Sequence, residues 1–169
     1  MPDGSVGPGL SCTGNQCTAG YLCVQFGNPP STCHKFCEGD ADCAPPQGLC
    51  ALSLTGSGGA SPITLCSESC DPITNAGCPV AGMKCELSQS QTPPQPWFTL
   101  CLASGSTGQG GVCASPDDCA PSLSCFNGAQ GLRCMAWCEV ASPACPGNLT
   151  CGSLNPQLFV GSVEYGACS

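Results

Sequence analysis

Apolar positions along this chain never keep a helical beat: no segment sustains a 3.6-residue apolar period over ten residues, so any helix is expected to be a single turn. Short apolar runs lie instead in pairs around turn-forming residues. Ala51-Leu-Ser-Leu54 and Ile63-Thr-Leu65 flank a Gly/Ser/Pro stretch at 55–62. Glu86-Leu-Ser-Gln89 and Trp97-Phe-Thr-Leu100 flank Thr92-Pro-Pro-Gln-Pro96, and Leu158-Phe-Val160 and Val163-Glu-Tyr165 flank Gly161. Each pair reads as a β-hairpin.

Superimposed on this pattern is a repeat of cysteines in fours. Unit 1 holds Cys12, Cys17, Cys23 and Cys33; unit 2 holds Cys37, Cys43, Cys50 and Cys66; unit 3 holds Cys70, Cys78, Cys85 and Cys101. Unit 4 holds Cys113, Cys119, Cys125 and Cys134, and unit 5 holds Cys138, Cys145, Cys151 and Cys168. The spacing rule is C-x4–7-C-x5–6-C-x8–16-C. Three junctions are three residues long: His34-Lys-Phe36, Ser67-Glu-Ser69 and Met135-Ala-Trp137. Four residue steps reach at most ~14 Å, so units joined this way must abut. The remaining junction, 102–112, is Gly/Ser-rich and reads as a flexible linker.

That linker matches the N-terminus. Gly4-Ser-Val-Gly-Pro-Gly-Leu-Ser-Cys12 aligns without gaps on Gly105-Ser-Thr-Gly-Gln-Gly-Gly-Val-Cys113. Units 1 and 4 have short third intervals, and units 2, 3 and 5 long ones. Two super-repeats are therefore expected, 1–103 with units 12–33, 37–66 and 70–101, and 104–169 with units 113–134 and 138–168. The fold class is a small disulfide-rich protein of loops and short β-hairpins, an elongated tandem array of five units with almost no helix.

Composition explains why cysteine must hold the chain. Leu, Ile, Val and Phe together number only 28 of 169 residues, and Gly with Pro adds 40 that favour the unfolded backbone or interrupt regular structure. Twenty cysteines, an even number at repeating spacings and all expected to bridge within their own units, replace the missing core and place the chain in an oxidising, extracellular or cell-surface setting. Met1-Pro-Asp-Gly4 lacks the basic and apolar regions of a signal peptide, which is read as removed. A net charge of −8 with only Lys35, Lys84 and Arg133 as cations argues against nucleic acid and anionic lipid as partners. No run approaches the ~20 apolar residues of a transmembrane segment.

The run Gly111-Val-Cys113-Ala-Ser-Pro-Asp-Asp-Cys119-Ala-Pro-Ser-Leu-Ser-Cys125, followed by Cys134-Met-Ala-Trp-Cys138, resembles the cysteine modules of Dickkopf, prokineticin and colipase-type proteins. It also resembles myxobacterial cell-surface cysteine-rich repeats. The resemblance implies interlaced pairing within each unit, first to third and second to fourth, such as Cys113 with Cys125 and Cys119 with Cys134. The animal modules come in pairs and often contain adjacent cysteines, whereas this chain has five units and no Cys-Cys, so hormone-like activity does not carry over. The C-x-C step of epidermal-growth-factor modules is absent too.

Candidate chemistry is sparse. With C-x3-C as its tightest spacing and one His, the chain lacks the paired thiolates of zinc sites, and neither metal nor cofactor is expected. Glu38-Gly-Asp40-Ala-Asp42 and Asp117-Asp118 offer oxygen ligands that calcium could use. Their place just before the second cysteine of a unit favours turn structure, with Asp accepting backbone N–H groups. His34, the sole imidazole, is expected at the surface; beside Asp40 or Asp42 but without a nucleophile motif it does not point to catalysis. Asn148-Leu-Thr150 is a glycosylation sequon only in a eukaryotic secretory pathway. Leu149 also shares with Tyr21, Met83 and Leu123 a position two before the third cysteine, which suits a small local core.

The apolar residues outside that pattern are Trp97, Phe98, Trp137, Leu158, Phe159 and Val160. A thin disulfide rod has little interior, so several should be exposed as an interface, the competing reading being packing against the neighbouring unit. The expected function is non-enzymatic: a secreted or cell-surface structural or adhesive protein that self-assembles into a filament or matrix with copies of itself or other surface components, through hairpin edges and those aromatics. A discrete protein-binding module, receptor ligand or protease inhibitor, is the alternative.

Overall fold

A computed structural model describes residues 4–28, 30–45, 47–54, 63–90 and 95–169. Every unit contributes one antiparallel hairpin. Unit 1 forms β1 (Tyr21–Val24) and β2 (Thr32–Lys35); unit 2 forms β3 (Gln47–Leu54) and β4 (Ile63–Glu68); unit 3 forms β5 (Met83–Gln89) and β6 (Trp97–Ala103). Unit 4 forms β7 (Leu123–Gly128) and β8 (Gly131–Glu139), and unit 5 forms β9 (Cys151–Val160) and β10 (Val163–Cys168). The expected hairpins of units 2, 3 and 5 are present. The turn of unit 2 and residues 92–94 of the unit 3 turn lie outside the described residues. Hairpins in the short units 1 and 4 were not expected, because their apolar alternation spans too few residues to register. Among the described residues helix is confined to one-turn 3-10 segments at Asp40–Asp42 and Pro116–Asp118.

All twenty cysteines are bridged, none across units, and each unit pairs first to third and second to fourth. Third and fourth cysteines face each other across each hairpin, as Cys85 faces Cys101, yet do not bond to each other. Each reaches instead into the preceding loop, so two bridges per unit clamp a strandless segment onto a two-stranded one. The local core follows: Tyr21 packs on Cys12, Cys17 and Cys33, and Leu123 on Cys113, Cys119 and Cys134.

The short junctions bring neighbouring hairpins together, and at one of them the two hairpins join in a single sheet. β8 runs through Met135-Ala-Trp137 and pairs with β10, giving a four-stranded sheet in the order β7-β8-β10-β9. Between units 1 and 2 the joint is a bridge from Phe36 to Leu65 and the contact of His34 Nδ1 with the Cys66 carbonyl at 3.0 Å. Between units 2 and 3 the Thr99 hydroxyl donates to the Glu68 carbonyl at 2.6 Å.

Residues 102–112 are not a flexible linker. β6 continues to Ala103, and the Gly105, Thr107 and Gly110 amides then donate to the carbonyls of Cys119, Asp118 and Cys134. The arm before unit 1 makes the equivalent bonds, with Val6 donating to Gln16 and Gly9 to Cys33. A Cβ on Gly4 or on Gly105 would collide with the backbone carbonyl ahead of the second cysteine. Glycine at both positions is therefore set by close approach, which composition alone cannot tell from linker flexibility.

Units also touch beyond their immediate neighbours. Asn28 of unit 1 donates to the Asp117 carboxylate of unit 4 at 3.0 Å, and Gly9 lies against Pro79 of unit 3. Two apolar cores account for this folding back. Ala51, Leu52, Leu65, Phe98 and Leu100 are buried together with Leu22, Val24 and Phe26 packed on them, joining units 1 to 3. Leu87, Trp137 and Leu158 form the second, with Trp97, Phe126, Val160 and Tyr165 packed on it, joining units 3 to 5. Strand periodicity explains why β6 serves both: Phe98 and Leu100 point to one face and Trp97 to the other. The halves 1–103 and 104–169 share the second core.

Candidate functional site

The three-residue junctions are where the structure places its unusual chemistry. His34, in the first junction, is only 3 % exposed rather than at the surface, because β2 is sandwiched between β1 and β4. Its partner is neither Asp40 nor Asp42 but Glu68 of the second junction, whose Oε1 stands 3.3 Å from Nε2. Nδ1 lies 3.0 Å from the Cys66 carbonyl, an acceptor only, so this nitrogen carries the proton. Nε2 then accepts from the Thr32 hydroxyl at 2.8 Å. Nε2 and Oε1 face each other across 3.3 Å, so a proton held by either His34 or Glu68 lies between them.

Burial pushes Glu68 up from 4.5 to about 7, with the Cys101 N–H opposing, and burial pushes His34 below its ordinary value, with the Cys66 carbonyl opposing. Burial thus favours the neutral form of both groups and works against their pairing as ions. Between pH 4.5 and about 7 the native chain holds a proton on Glu68 that the unfolded chain has lost, so this group's contribution to stability falls as pH rises through that window. The loss is on the order of 3 kcal/mol at ~1.4 kcal/mol per pKa unit. Glu68→Gln should therefore melt above the wild type at pH 8 and match it near pH 4, measured by thermal melting across pH. Equal melting throughout would mean that the carboxylate ionises freely.

Around the pair is a cleft of about 460 Å³ at the meeting of units 1, 2 and 3. Pro8, Leu10 and Pro79 line it with the Cys33 and Cys78 bridges, and His34, Lys35, Gln47, Ser67 and Glu68 are its polar residues. Lys35 does not neutralise Glu68: its Nζ donates to the Asp42 carbonyl at 2.7 Å. Gln47 donates to the Tyr21 hydroxyl at 3.0 Å.

A second buried pair has a different role. Lys84 and Glu86, successive residues on one face of β5, stand 2.9 Å apart, and Lys84 also donates to the Leu123 carbonyl of unit 4. This pair ties the two halves together and reaches no cleft described here.

The acidic loops are turns. The Asp42 carboxylate accepts the Glu38 and Gly39 amides, and the Asp118 carboxylate accepts those of Ala114 and Ser115, holding both acids below the usual carboxylate range. Asp40 accepts the Cys50 N–H at 2.9 Å. The sulfur clusters that could in other redox states hold a metal are spent in bridges.

Of the six expected interface residues, Phe98, Trp137 and Leu158 are buried in the two cores, Trp97 and Val160 are half-buried against the second, and only Phe159, 44 % exposed, faces solvent. They do not form one surface. The folding back of the units supplies the interior that a thin rod would lack. The residues that sequence reasoning missed are Glu68 and Lys84. Their signal was position: a gap too short to separate units must press junction side chains between them.

Among the described residues no helix is long and apolar enough to cross a membrane. Comparison with family models, with curated proteins and with solved structures finds no match for the chain.

Proposed function

We propose that the chain is an exported, non-enzymatic protein-binding module, a disulfide-rigid frame that presents the cleft at units 1 to 3 to a partner. The observation carrying this reading is the fate of the aromatics: Phe98 and Trp137, which self-assembly would use as anchors, are consumed in cores between units. The cleft in turn gathers residues of units 1, 2 and 3 around the buried His34–Glu68 pair. Ten bridges fit an oxidising compartment, and the first-to-third, second-to-fourth pairing is the one implied by the resemblance to secreted Dickkopf, prokineticin and colipase-type modules. A non-enzymatic role is supported by Thr32, the hydroxyl on His34, which is 2 % exposed and does not line the cleft.

Self-assembly into a surface filament is the second reading. It is favoured by β9, whose outer edge in the four-stranded sheet pairs with no other strand among the described residues, and by Phe159 on that strand. Sedimentation velocity on the oxidised protein separates the two. A monomer across the concentration series is expected, and concentration-dependent association abolished by Phe159→Ser would establish the filament instead.

A further inference from the structure

We infer that the cleft between units 4 and 5 is a receptor site for the carboxyl-terminal residue of a partner protein, with the Arg133 guanidinium holding its α-carboxylate and Met135 packing against an apolar side chain beside it. The site extends the reading of the chain as a protein-binding module, on which it rests, by a contact separate from the cleft of units 1 to 3.

A change of partner along β8 builds the site. The first half of the strand bonds the arm before unit 4, with Gly110 donating to the Cys134 carbonyl at 2.7 Å and Cys134 to the Gly111 carbonyl at 2.9 Å. The second half pairs with β10, Trp137 facing Ala167. Gln109 spans the change-over, its side chain donating to the Cys168 carbonyl at 3.1 Å and accepting the Ala136 N–H at 2.8 Å. There a cleft of about 650 Å³ opens, lined by half-buried Arg133, Met135, Leu149 and Leu154 with exposed Gly152 beside them.

Charge selects the ligand. Arg133 is the one charged side chain among the described residues lining the cleft. Its Nη1 donates to the Leu132 carbonyl at 3.2 Å, while among the described residues Nε and Nη2 meet no acceptor and no acid pairs with the guanidinium. Lys35 and Lys84 are bound elsewhere, to the Asp42 carbonyl and to Glu86, so Arg133 alone supplies positive charge here. The Nε–Nη2 edge presents two parallel N–H groups that match the two oxygens of a carboxylate. A polyanion is disfavoured, because a single guanidinium meets it and a net charge of −8 repels it.

Spacing selects a chain end over an acidic side chain. Arg133 and Met135 lie two apart on β8 and so project from one face at ~7 Å. A carboxyl-terminal residue carries its carboxylate and its side chain on the same carbon and can reach both positions at once. An Asp or Glu side chain uses its short stem to reach the guanidinium and leaves the apolar lining uncovered, whereas ligand clefts pair an apolar lining with a few fixed polar groups.

The test is a heteronuclear NMR titration of the monomeric, oxidised protein with acetyl-Gly-Gly-Leu bearing a free carboxylate. Its carboxamide is run beside it, as is the carboxamide of acetyl-Gly-Gly-Glu, whose one carboxylate is on the side chain. Saturable shifts at Arg133, Met135 and Leu154 are expected with the free acid and none with either amide. Arg133→Gln should weaken binding at least roughly tenfold, the scale of one charged hydrogen bond. Gly152→Phe, at a strand position where a Cβ meets nothing closer than 3.9 Å, fills the cleft and should abolish binding with Arg133 in place; it decides the matter if Arg133→Gln does not fold. Equal binding of the leucine carboxamide, no saturable shift, or binding unchanged by either folded variant would overturn the site. Equal binding of the Glu peptide would overturn the chain end as its ligand. Association in the sedimentation experiment overturns the module reading alone, because the titration is read on the monomer.

Discussion

Dithiothreitol should abolish the near-ultraviolet circular dichroism of the folded protein, and EDTA should leave it intact. Each bridge closes a separation of 11 to 23 residues, and loops of that size contribute ~3 kcal/mol each by restricting the unfolded chain. Among the described residues four of the six buried clusters are built on cysteine itself, so reduction removes both the constraint and the centre of the local packing. The two remaining cores draw on faces from different hairpins. Those hairpins are two-stranded before they dock, and isolated two-stranded hairpins are marginal in water. EDTA has no corresponding target, since Asp40, Asp42 and Asp118 are satisfied by backbone amides. A spectrum that survives reduction would show that the apolar cores suffice; one lost in EDTA would restore a cation to the acidic turns.

Trp137→Ala should lower stability by about 3–5 kcal/mol, the cost of emptying a large aromatic site, while Phe159→Ser should change it by less than ~0.5 kcal/mol. Trp137 is 4 % exposed, meets Phe126 edge-on with ring centroids 4.7 Å apart, and packs with Leu87 and Leu158. Residues of three units thus lose one shared partner. The bridges limit relaxation around the hole, which keeps the cavity cost high, and the melting temperature should fall by roughly 10 °C. Differential scanning calorimetry on the oxidised variants measures both. Comparable small losses for the two substitutions would show that Trp137 is not the centre of a core.

Cysteine spacing made the five units legible because loop closure is local: both partners of each bridge lie within one unit, at the repeat's own intervals. The direction of pairing was legible only through the resemblance, since third and fourth cysteines face each other in every hairpin and geometry across the strands would equally suggest that bond. Turn chemistry at Asp42 and Asp118 was readable for the same local reason, each acid bonding amides three and four residues earlier.

What the sequence by itself determined, then, is the cysteine unit, the hairpins of the long units 2, 3 and 5, and the acidic turns at Asp42 and Asp118. Only the tertiary structure decided how units dock. A strand with apolar residues on both faces, such as β6, can offer either to either neighbour, and the spacing rule says nothing of which. The docking of β2, β4 and β6 turned His34 from a surface residue into a buried one and set Glu68 beside it from 34 positions away. The same docking drew Phe98, Trp137 and Leu158 inside. Burial is a property of facing surfaces, and facing surfaces are chosen by long-range packing rather than by any residue's neighbours in the chain.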